Sequence, residues 1–491
     1  MSRKIAAIVA GTLVIALLAG ALIFLKTNPG PDVSLPSGSE TGGISLVEED
    51  SSTLQTAKIK NPDDEYTIEK TGDNQWGIKA LEGFPQESYR FSSTVVELSS
   101  ISASEIIAEG SSDLGQFGLD EPSVQVELSF ENGKSYSLSI GSDTPDGTGK
   151  YVAKTGESTV YMVASSLLSS VSYTRYDYLN LTVVEQETDE DGKTSPPAIS
   201  SFRISRPDLA KPIVFETVGY EYDTENTAST LRMTSPVNGL LNETAADKYI
   251  ALVFGMQASR VAALNPSGEE MKKYGLDSPS SVLEIVYGDK KLTLKTGHGM
   301  DEDGNTVREA GAASSYYIMR EGLNEVFVVA ADSVSWIGLA ARDLLSSSVA
   351  LPYVTDVKSI DVTLEQKKHV IEIASSAPAE GASSQEEASQ SYTLDGKKVD
   401  AKQGGRFYSL LLDTGVQDVN QKQPTGPSKA SVVFHMKSGK DIKIEFFVEP
   451  DLTTIVSLNG NNAYIGRSGY IDKIARELDN LAKGNGVDTT W

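Results

Sequence analysis

The sequence contains no cysteine. Disulfides, thiolate nucleophiles and cysteine-ligated zinc or iron–sulfur centres are therefore excluded for this chain, and so is a lipidated cysteine anchor. Histidine is almost as scarce, because His298, His369 and His435 are the only three and no pair has the spacing of metal ligands. We interpret them as turn or strand residues. The sequence predicts no metal site and no cofactor.

Positive charge is also scarce. The chain has 43 Lys and Arg residues against 68 Asp and Glu residues, which gives a formal net charge of −25. Proteins that bind nucleic acids need basic patches to neutralise phosphates, so nucleic acid is not an expected partner. Close docking on an anionic membrane surface is disfavoured for the same reason. A solvated acidic exterior is the expected consequence.

The sequence also lacks the motifs that carry common catalytic chemistry. Asp301 to Asn305 begins like a calcium loop, but Thr306 occupies the sixth position, where glycine is required, so we predict an exposed acidic hairpin tip. Gly-Lys-Ser at 133–135 and Gly-Lys-Thr at 192–194 lack the upstream glycine of a phosphate loop. With 68 acidic residues, carboxylate pairs say little about hydrolase chemistry. No catalytic residue is predicted.

One long apolar run is present at the N-terminus. Ile5 to Leu25 carries no charge and, as a helix, would span the ~30 Å hydrocarbon core of a bilayer. Basic residues precede it, which predicts a single-pass plasma-membrane anchor with residues 1–4 in the cytoplasm and the bulk of the chain extracytoplasmic. The alternative is a signal peptide that is cleaved near Ala21, which would give a secreted protein.

A unit that recurs along the chain is the strongest positive signal. It has two clear copies and one eroded copy, whose shared residues are Phe117, Gly118, Leu119, Asp120, Pro122 and Ser123, then Tyr274, Gly275, Leu276, Asp277, Pro279 and Ser280, and finally Pro427 and Ser428. The prolines are 157 and 148 residues apart, and a period this long indicates a repeated domain rather than a solenoid.

Each residue of this motif has a local structural role that explains its presence. Glycine supplies the left-handed residue that ends a helix, leucine packs back, aspartate hydrogen-bonds the turn, and proline begins a strand. We therefore interpret the motif as a structural repeat, with a functional loop as the alternative.

The fold class predicted from these patterns is α+β: three tandem modules, each a mostly antiparallel β-sheet with two helices, after one N-terminal transmembrane helix. The predicted organisation is a flexible tether at 26–52, module 1 at 53–180, an acidic linker at 181–198, module 2 at 199–348, and module 3 at 353–485 with a disordered insertion at 375–391. Helices are predicted at 91–101, 167–179, 245–264, 333–345, 407–412 and 470–481.

The order of these features resembles a known family. The motif, a strand, a hairpin glycine, a strand ending near Ile140-Gly141, and then Lys150-Tyr-Val and Val160-Tyr-Met-Val are similar to the domain of unknown function 4340. The first unit is the most similar, and the third lacks Gly-Leu-Asp before Pro427. The resemblance implies a bacterial, membrane-anchored, extracytoplasmic protein related to auxiliary components of gliding-motility-type ABC transporters. It supplies no catalytic residues.

Three functional hypotheses follow. The first is a non-catalytic binding or scaffold protein, bound to the membrane through Ile5 to Leu25, with an ABC transporter permease or another envelope protein as its partner. The second is a cell-envelope hydrolase that uses paired carboxylates. The third is a structural spacer or adhesin.

Overall fold

The structure is a computed structural model that describes residues 43–188, 192–218, 231–307, 312–376 and 389–491. The predicted cytoplasmic N-terminus at 1–4 and the predicted anchor at 5–25 lie outside these ranges. Within them, no helix has the length and apolar character that crossing a bilayer would require.

The described residues form mostly β-strands with a few helices. The first ten strands are β1 Ile44–Glu48, β2 Leu54–Lys60, β3 Glu65–Gly72, β4 Gln75–Gly77, β5 Ser100–Ala103, β6 Glu105–Ala108, β7 Val124–Phe130, β8 Ser135–Asp143, β9 Gly149–Lys154 and β10 Val160–Ala164. The next ten are β11 Ile199–Ser205, β12 Ile213–Thr217, β13 Leu231–Ser235, β14 Gly239–Leu240, β15 Arg260–Leu264, β16 Ser281–Tyr287, β17 Lys290–Met300, β18 Thr306–Val307, β19 Ser315–Arg320 and β20 Glu325–Ala330. The last nine are β21 Val357–Leu364, β22 Lys367–Ser376, β23 Ser389–Leu394, β24 Lys397–Val399, β25 Val416–Val419, β26 Ala430–Met436, β27 Ile442–Val448, β28 Thr454–Leu458 and β29 Asn461–Gly466. The α-helices are α1 Ser88–Ser99, α2 Glu243–Val253, α3 Gly268–Lys273, α4 Ala401–Leu412 and α5 Tyr470–Ala482.

The chain divides into two compact units, 1–175 and 176–491. The first unit contains an eight-stranded sheet in the order β4-β3-β2-β7-β8-β9-β10-β6, and β1 pairs with β5 beside it. The second unit contains a sheet in the order β14-β13-β12-β11-β16-β17-β19-β20-β15 and another in the order β24-β23-β22-β21-β26-β27-β28-β29-β25. All of the pairings are antiparallel, which confirms the α+β class with mostly antiparallel sheets.

The three large sheets share one strand order. When the eight common strands of each sheet are lettered a to h along the chain, every sheet reads c-b-a-e-f-g-h-d. These strands are β2, β3, β4, β6, β7, β8, β9 and β10 in the first sheet, β11, β12, β13, β15, β16, β17, β19 and β20 in the second, and β21, β22, β23, β25, β26, β27, β28 and β29 in the third. A helix lies between c and d each time, namely α1, α2 or α4.

The central strands alternate in burial because one face of each sheet lies against the core. In β7 the buried residues are Val124, Val126, Leu128 and Phe130, with more exposed residues between them. The helix between c and d covers such a face with its own apolar side, for example with Phe91, Val95 and Leu98 of α1. Burial of this alternating pattern is the main stabilising term of each sheet.

Two predicted helices are absent, and in both segments side chains from elsewhere in the fold donate hydrogen bonds to the backbone carbonyl oxygens. In place of a helix over 167–179, the chain forms short 3-10 turns, and the Asn61 amide donates to the carbonyl oxygens of Val171 and Tyr173 at 3.0 and 2.8 Å. In place of a helix over 333–345 there are 3-10 helices at Ala331–Gly338 and Ala341–Asp343. The Arg206 guanidinium donates to two carbonyl oxygens of this segment.

The other helices differ from prediction mainly in their bounds. The helix predicted over 245–264 ends at Val253, because Gly255 takes a φ of +83° and the chain then enters β15. The helix predicted over 91–101 is α1, and Ile101 belongs to β5. The helix predicted over 407–412 begins at Ala401, where the Asp400 side chain accepts a hydrogen bond from the Gln403 N–H.

The predicted tether at 26–52 does not reach as far as residue 52. Residues 44–48 form β1, with Leu46 and Val47 buried against the first unit. The Glu49 carboxylate then accepts hydrogen bonds from Lys134, Tyr136 and Asn132, which lie on the β7–β8 hairpin. These contacts, with Lys134 the largest contributor, lower the pKa of Glu49 to about 2.

The described part of the predicted linker at 181–198 is also structured. The Val183 N–H donates to Met256 O, and the Gly255 N–H donates to Val184 O. Both valine side chains are buried in the second unit. Residues 189–191 lie outside the described ranges. The ends of the predicted insertion at 375–391 belong to β22 and β23, which pair as far as Ser376 and Ser389, and 377–388 lie outside the described ranges.

Each large sheet is preceded by a short segment of chain that contacts residues at the start of its strand d or just before it. In the first sheet, β1 pairs with β5. In the second, the Ala258 N–H donates to Leu181 O at 2.7 Å, and in the third the Val416 N–H donates to Ser347 O at 2.9 Å. We call these the lead-in segments. The predicted modules began at 53, 199 and 353, so each began after the lead-in segment of its own sheet.

Candidate functional site

The first copy of the repeated motif forms the loop between strands d and e of the first sheet. A 3-10 turn at Gly115–Phe117 ends at Gly118, which takes a φ of +68°. The Gly118 N–H donates to Gly115 O, and the Leu119 N–H donates to Leu114 O. A residue with a side chain would be strained at this φ, so glycine is what lets the turn end here.

The second copy has the same geometry in the second sheet. There α3 is closed at its start by a capping box between Ser267 and Glu270, and the helix ends before Gly275 at a φ of +70°. The Gly275 N–H donates to Lys272 O, and the Leu276 N–H donates to Met271 O. Both motifs are therefore helix stops that reverse the chain toward strand e.

Each motif fits against a glycine of strand f. A Cβ atom on Gly141 of β8 would lie 2.2 Å from Phe117 O, and one on Gly297 of β17 would lie 2.0 Å from Tyr274 O. The pairing of strand f with strand g shifts register at the same place, between Ile140 and Asp143 in β8. A matching shift occurs in β17 between residues 296 and 299. We call this bulge the glycine notch, because its missing side chain admits the motif backbone.

A small hydrophobic cluster packs over each notch, and most side chains of one cluster have a counterpart in the other. The Phe117 and Tyr151 rings lie 5.0 Å apart in the first, and the Tyr274 and Tyr317 rings lie 4.6 Å apart in the second. The remaining members are Ala108, Leu114, Leu119, Ala153 and Val160 in the first cluster, and Ala262, Ala263, Met271, Leu276, Met319 and Val326 in the second. The motif thus contributes to a local core.

The polar residues of the motif serve the same junction. The Ser280 hydroxyl donates to Thr296 O and Gly297 O at 3.0 and 2.8 Å, and Ser123 makes the equivalent, longer contacts to Ile140 O and Gly141 O. The Asp120 carboxylate accepts from the Glu121 N–H. Asp120 and Asp277 are exposed, and Pro122 and Pro279 are half-buried where strand e begins.

The third sheet has neither the motif nor the notch. Pro427 and Ser428 lie between strands d and e, as their alignment with the other copies predicts, and the Ser428 hydroxyl donates to Ala430 O. Strand f, β27, contains no glycine and pairs with β28 without a register shift. The motif and the notch are therefore present together or missing together. The motif residues of each copy lie on their own sheet and do not assemble into one site.

The three histidines lie on strands and have different surroundings. His298 of β17 follows the glycine notch, and its backbone N–H donates to Tyr274 O at 2.8 Å. The His435 ring lies between the carboxylates of Asp361 and Asp441, at 2.9 and 2.8 Å. The hydrogen bond to Asp361 raises the pKa of His435. Among the described residues, no three His, Asp or Glu side chains are grouped so as to hold a metal ion.

The His435 network was not predicted from the sequence. Asp361 and His435 belong to neighbouring strands, β21 and β26, and their contact depends on the register in which these strands pair. A sequence-level signal would have been a charged residue on the outer face of each of two paired strands, but the pairing itself was not known.

Comparison with known proteins identifies the family. Residues 76–207 and 232–430 match the family described as a domain of unknown function (DUF4340), and together these stretches cover more than half of the chain. The chain belongs to the DUF4340 family. Each DUF4340 match contains one clear copy of the motif, at 117–123 and at 274–280. The resemblance seen in the sequence is therefore confirmed. No curated protein and no solved structure matches the chain.

Proposed function

We propose that this DUF4340 protein is a non-catalytic binding or scaffold protein held at the outer face of the plasma membrane. The observation that supports this best is the role of the motif, because its glycine, leucine and serine residues are engaged in packing and backbone hydrogen bonds at the glycine notch.

We further propose that the chain contains three copies of one module, each built around one large sheet. The common strand order, the helix between strands c and d, and the lead-in segments support this division. Under this proposal the third copy has lost both the motif and the notch, and it holds its d–e loop differently. The Asn420 amide there donates to Lys422 O and Asn462 O at 2.6 and 2.7 Å.

The proposed location depends on the apolar run at residues 5–25. As an uncleaved helix it would leave the N-terminus in the cytoplasm and the described residues outside the cell. Cleavage near Ala21 would release the same residues. The proposed partner is an ABC transporter permease or another envelope protein, and this part of the proposal comes from the family resemblance.

A structural spacer is a second candidate, because the second and third sheets are tied together within the second compact unit. The Tyr464 hydroxyl donates to Asn238 O at 2.7 Å, and Gly239 leaves no room for a side chain beside the same ring. Such contacts favour a fixed arrangement of these two sheets. A hydrolase would need a carboxylic acid with a raised pKa at a cleft. In the described ranges Glu325 is the one carboxyl group with a clearly raised pKa, and it is buried within strand β20.

Cross-linking in native membranes tests the binding proposal. The chain has no cysteine, so single variants Glu157→Cys, Asp303→Cys and Ser438→Cys would each place one thiol on an exposed hairpin of a different sheet. A maleimide–photoreactive linker on these thiols should give adducts with an integral envelope protein from some positions and not others. Absence of adducts from every position, or the same adducts as the cysteine-free chain, would contradict a binding role.

A further inference from the structure

A cleft in the third sheet collects positive charge in an otherwise acidic chain. It has a volume of about 530 Å³ and lies between the strands β22 to β24 and the C-terminal half of α5. Four lysines line it, namely Lys367, Lys397, Lys398 and Lys483. The chain as a whole has a net charge of −25, so a local group of four lysines is unusual here.

The three carboxylates of the cleft are all engaged. Asp395 accepts hydrogen bonds from the Val370 N–H at 2.9 Å and interacts with His369 Nδ1 at 2.8 Å. Asp400 accepts from the Gln403 N–H at the start of α4. Asp479 pairs with Lys483 at 2.6 Å. Asp395 also interacts electrostatically with Lys367, so the four lysines of the lining exceed its three aspartates by one positive charge.

Lys367, Lys397 and Lys398 have no ion-pair partner within the described ranges. They come from two strands that lie on either side of β23, and they line the same cleft. The aspartates of the lining do not fully balance the lysines, and a bound anion would neutralise the excess positive charge. Ammonium groups on flexible stems bind phosphate and carboxylate as point charges.

The floor of the cleft is formed by buried apolar side chains. Leu394, Leu478 and Leu481 are buried there, and the His369 side chain, held through Nδ1 by Asp395, is 17% exposed in the wall. A cleft of this volume, with an apolar floor and convergent charges, has the dimensions of a small-molecule site.

We propose that this cleft binds a small organic anion that carries phosphate or carboxylate groups, with Lys367, Lys397 and Lys398 as its contacts. The site lies on the third sheet, which has lost the repeated motif, and it is independent of the membrane anchoring proposed above. A chain that proves to be cytoplasmic or secreted would still have it.

Isothermal titration at low salt tests the site, with inorganic pyrophosphate and citrate as probes. The full chain should bind at least one probe saturably, and the one that binds distinguishes phosphate from carboxylate preference. Lys397→Gln together with Lys398→Gln should weaken binding about three- to tenfold, since exposed charge pairs contribute modestly. The control is Lys429→Gln with Lys440→Gln, which removes the same charge from exposed positions outside the cleft.

The control variant should bind as the unaltered chain does. Equal weakening in both double variants would show general electrostatic attraction and would overturn the site. Absence of saturable binding of either probe would also overturn it, because lysines that only protect the edge strand β24 from pairing need no ligand. Unchanged unfolding midpoints in both variants would exclude misfolding as the cause of any loss.

Discussion

At the scale of single residues, Gly141 and Gly297 determine how closely the repeated motif approaches its sheet. The sequence predicted the glycine at the end of each short helix, because a helix stop has a local signature. It did not predict the glycine of strand f, which matters only through contact with a carbonyl oxygen distant in sequence. A glycine inside a strand was the available signal, since it often marks a bulge or a close backbone approach.

Gly297→Ala should destabilise the second unit. The new Cβ would meet Tyr274 O at 2.0 Å, and forcing a methyl group into a packed site costs about 1–3 kcal/mol or more. Urea unfolding measures the loss. The matched control is Gly268→Ala, because a Cβ there meets nothing within 4 Å. If both variants were equally stable, the notch would not be needed to seat the motif.

Glu325→Gln should change the pH dependence of stability. Burial of this residue, 4% exposed in β20, raises its pKa above the ordinary 4.5. The folded state therefore holds the proton to higher pH than the unfolded state, and the free energy of unfolding falls as pH rises through the raised pKa. Glutamine cannot ionise, so the variant should escape this loss at neutral pH.

The free energy of unfolding by denaturant is compared near neutral pH and at a pH well below the ordinary 4.5 of a glutamate. The gain of Glu325→Gln over the unaltered chain should shrink as the pH falls well below 4.5, where the carboxyl group becomes protonated in both states. Glu321→Gln, at an exposed position of the same hairpin, should show no such change. An equal gain at both pH values would mean that ionisation of Glu325 costs nothing.

At the scale of elements, strands were predicted better than helices. Alternating burial gave β7, β16 and β26 directly, because one face of each strand lies on a core. Helices were overpredicted at 167–179 and 333–345, where apolar spacing suggested them but side chains from elsewhere bind the backbone carbonyl oxygens. Such competition depends on the tertiary fold, so local periodicity could not reveal it.

The lead-in segments were missed for a related reason. The stretch before β2 was predicted to be a tether because it contains proline, glycine and serine and few large apolar residues. Leu46 and Val47 are its only adjacent pair of large apolar residues, and they are buried by pairing with a strand about 55 positions later. A strand this short becomes recognisable only when its partner is known.

Leu46→Ala should destabilise the first unit. The side chain is 2% exposed, and truncating a buried leucine costs about 2–5 kcal/mol. Guanidinium unfolding, or protease sensitivity of the N-terminal segment, measures the effect. Ser45→Ala, at the neighbouring exposed position, is the control and should be close to neutral. A Leu46→Ala variant as stable as the control would restore the tether interpretation.

At the scale of the whole molecule, the chain combines three similar sheets with two compact units. The first unit ends at residue 175, a few residues before Leu181 in the lead-in segment of the second sheet. The second and third sheets share one unit and contact each other through Tyr464. The described residues therefore form three large sheets in two compact units, with two of the sheets in the second unit.

Calorimetry should show two unfolding transitions, because two compact units each have their own core. Gly141→Ala should lower the midpoint of one transition, and Gly297→Ala should lower the midpoint of the other. The control Gly268→Ala should leave both midpoints in place. A single transition that both notch variants lower equally would mean that the units unfold as one.

The most direct test of the proposed role is thiol accessibility in intact cells that express the chain, since it has no cysteine of its own. Asp303→Cys lies on an exposed hairpin tip, and Ser2→Cys precedes the apolar run. A membrane-impermeant maleimide should label Asp303→Cys in intact cells, on protein that stays with the membrane, and should label Ser2→Cys only after permeabilisation. Labelling of Asp303→Cys only after lysis would contradict an extracytoplasmic scaffold.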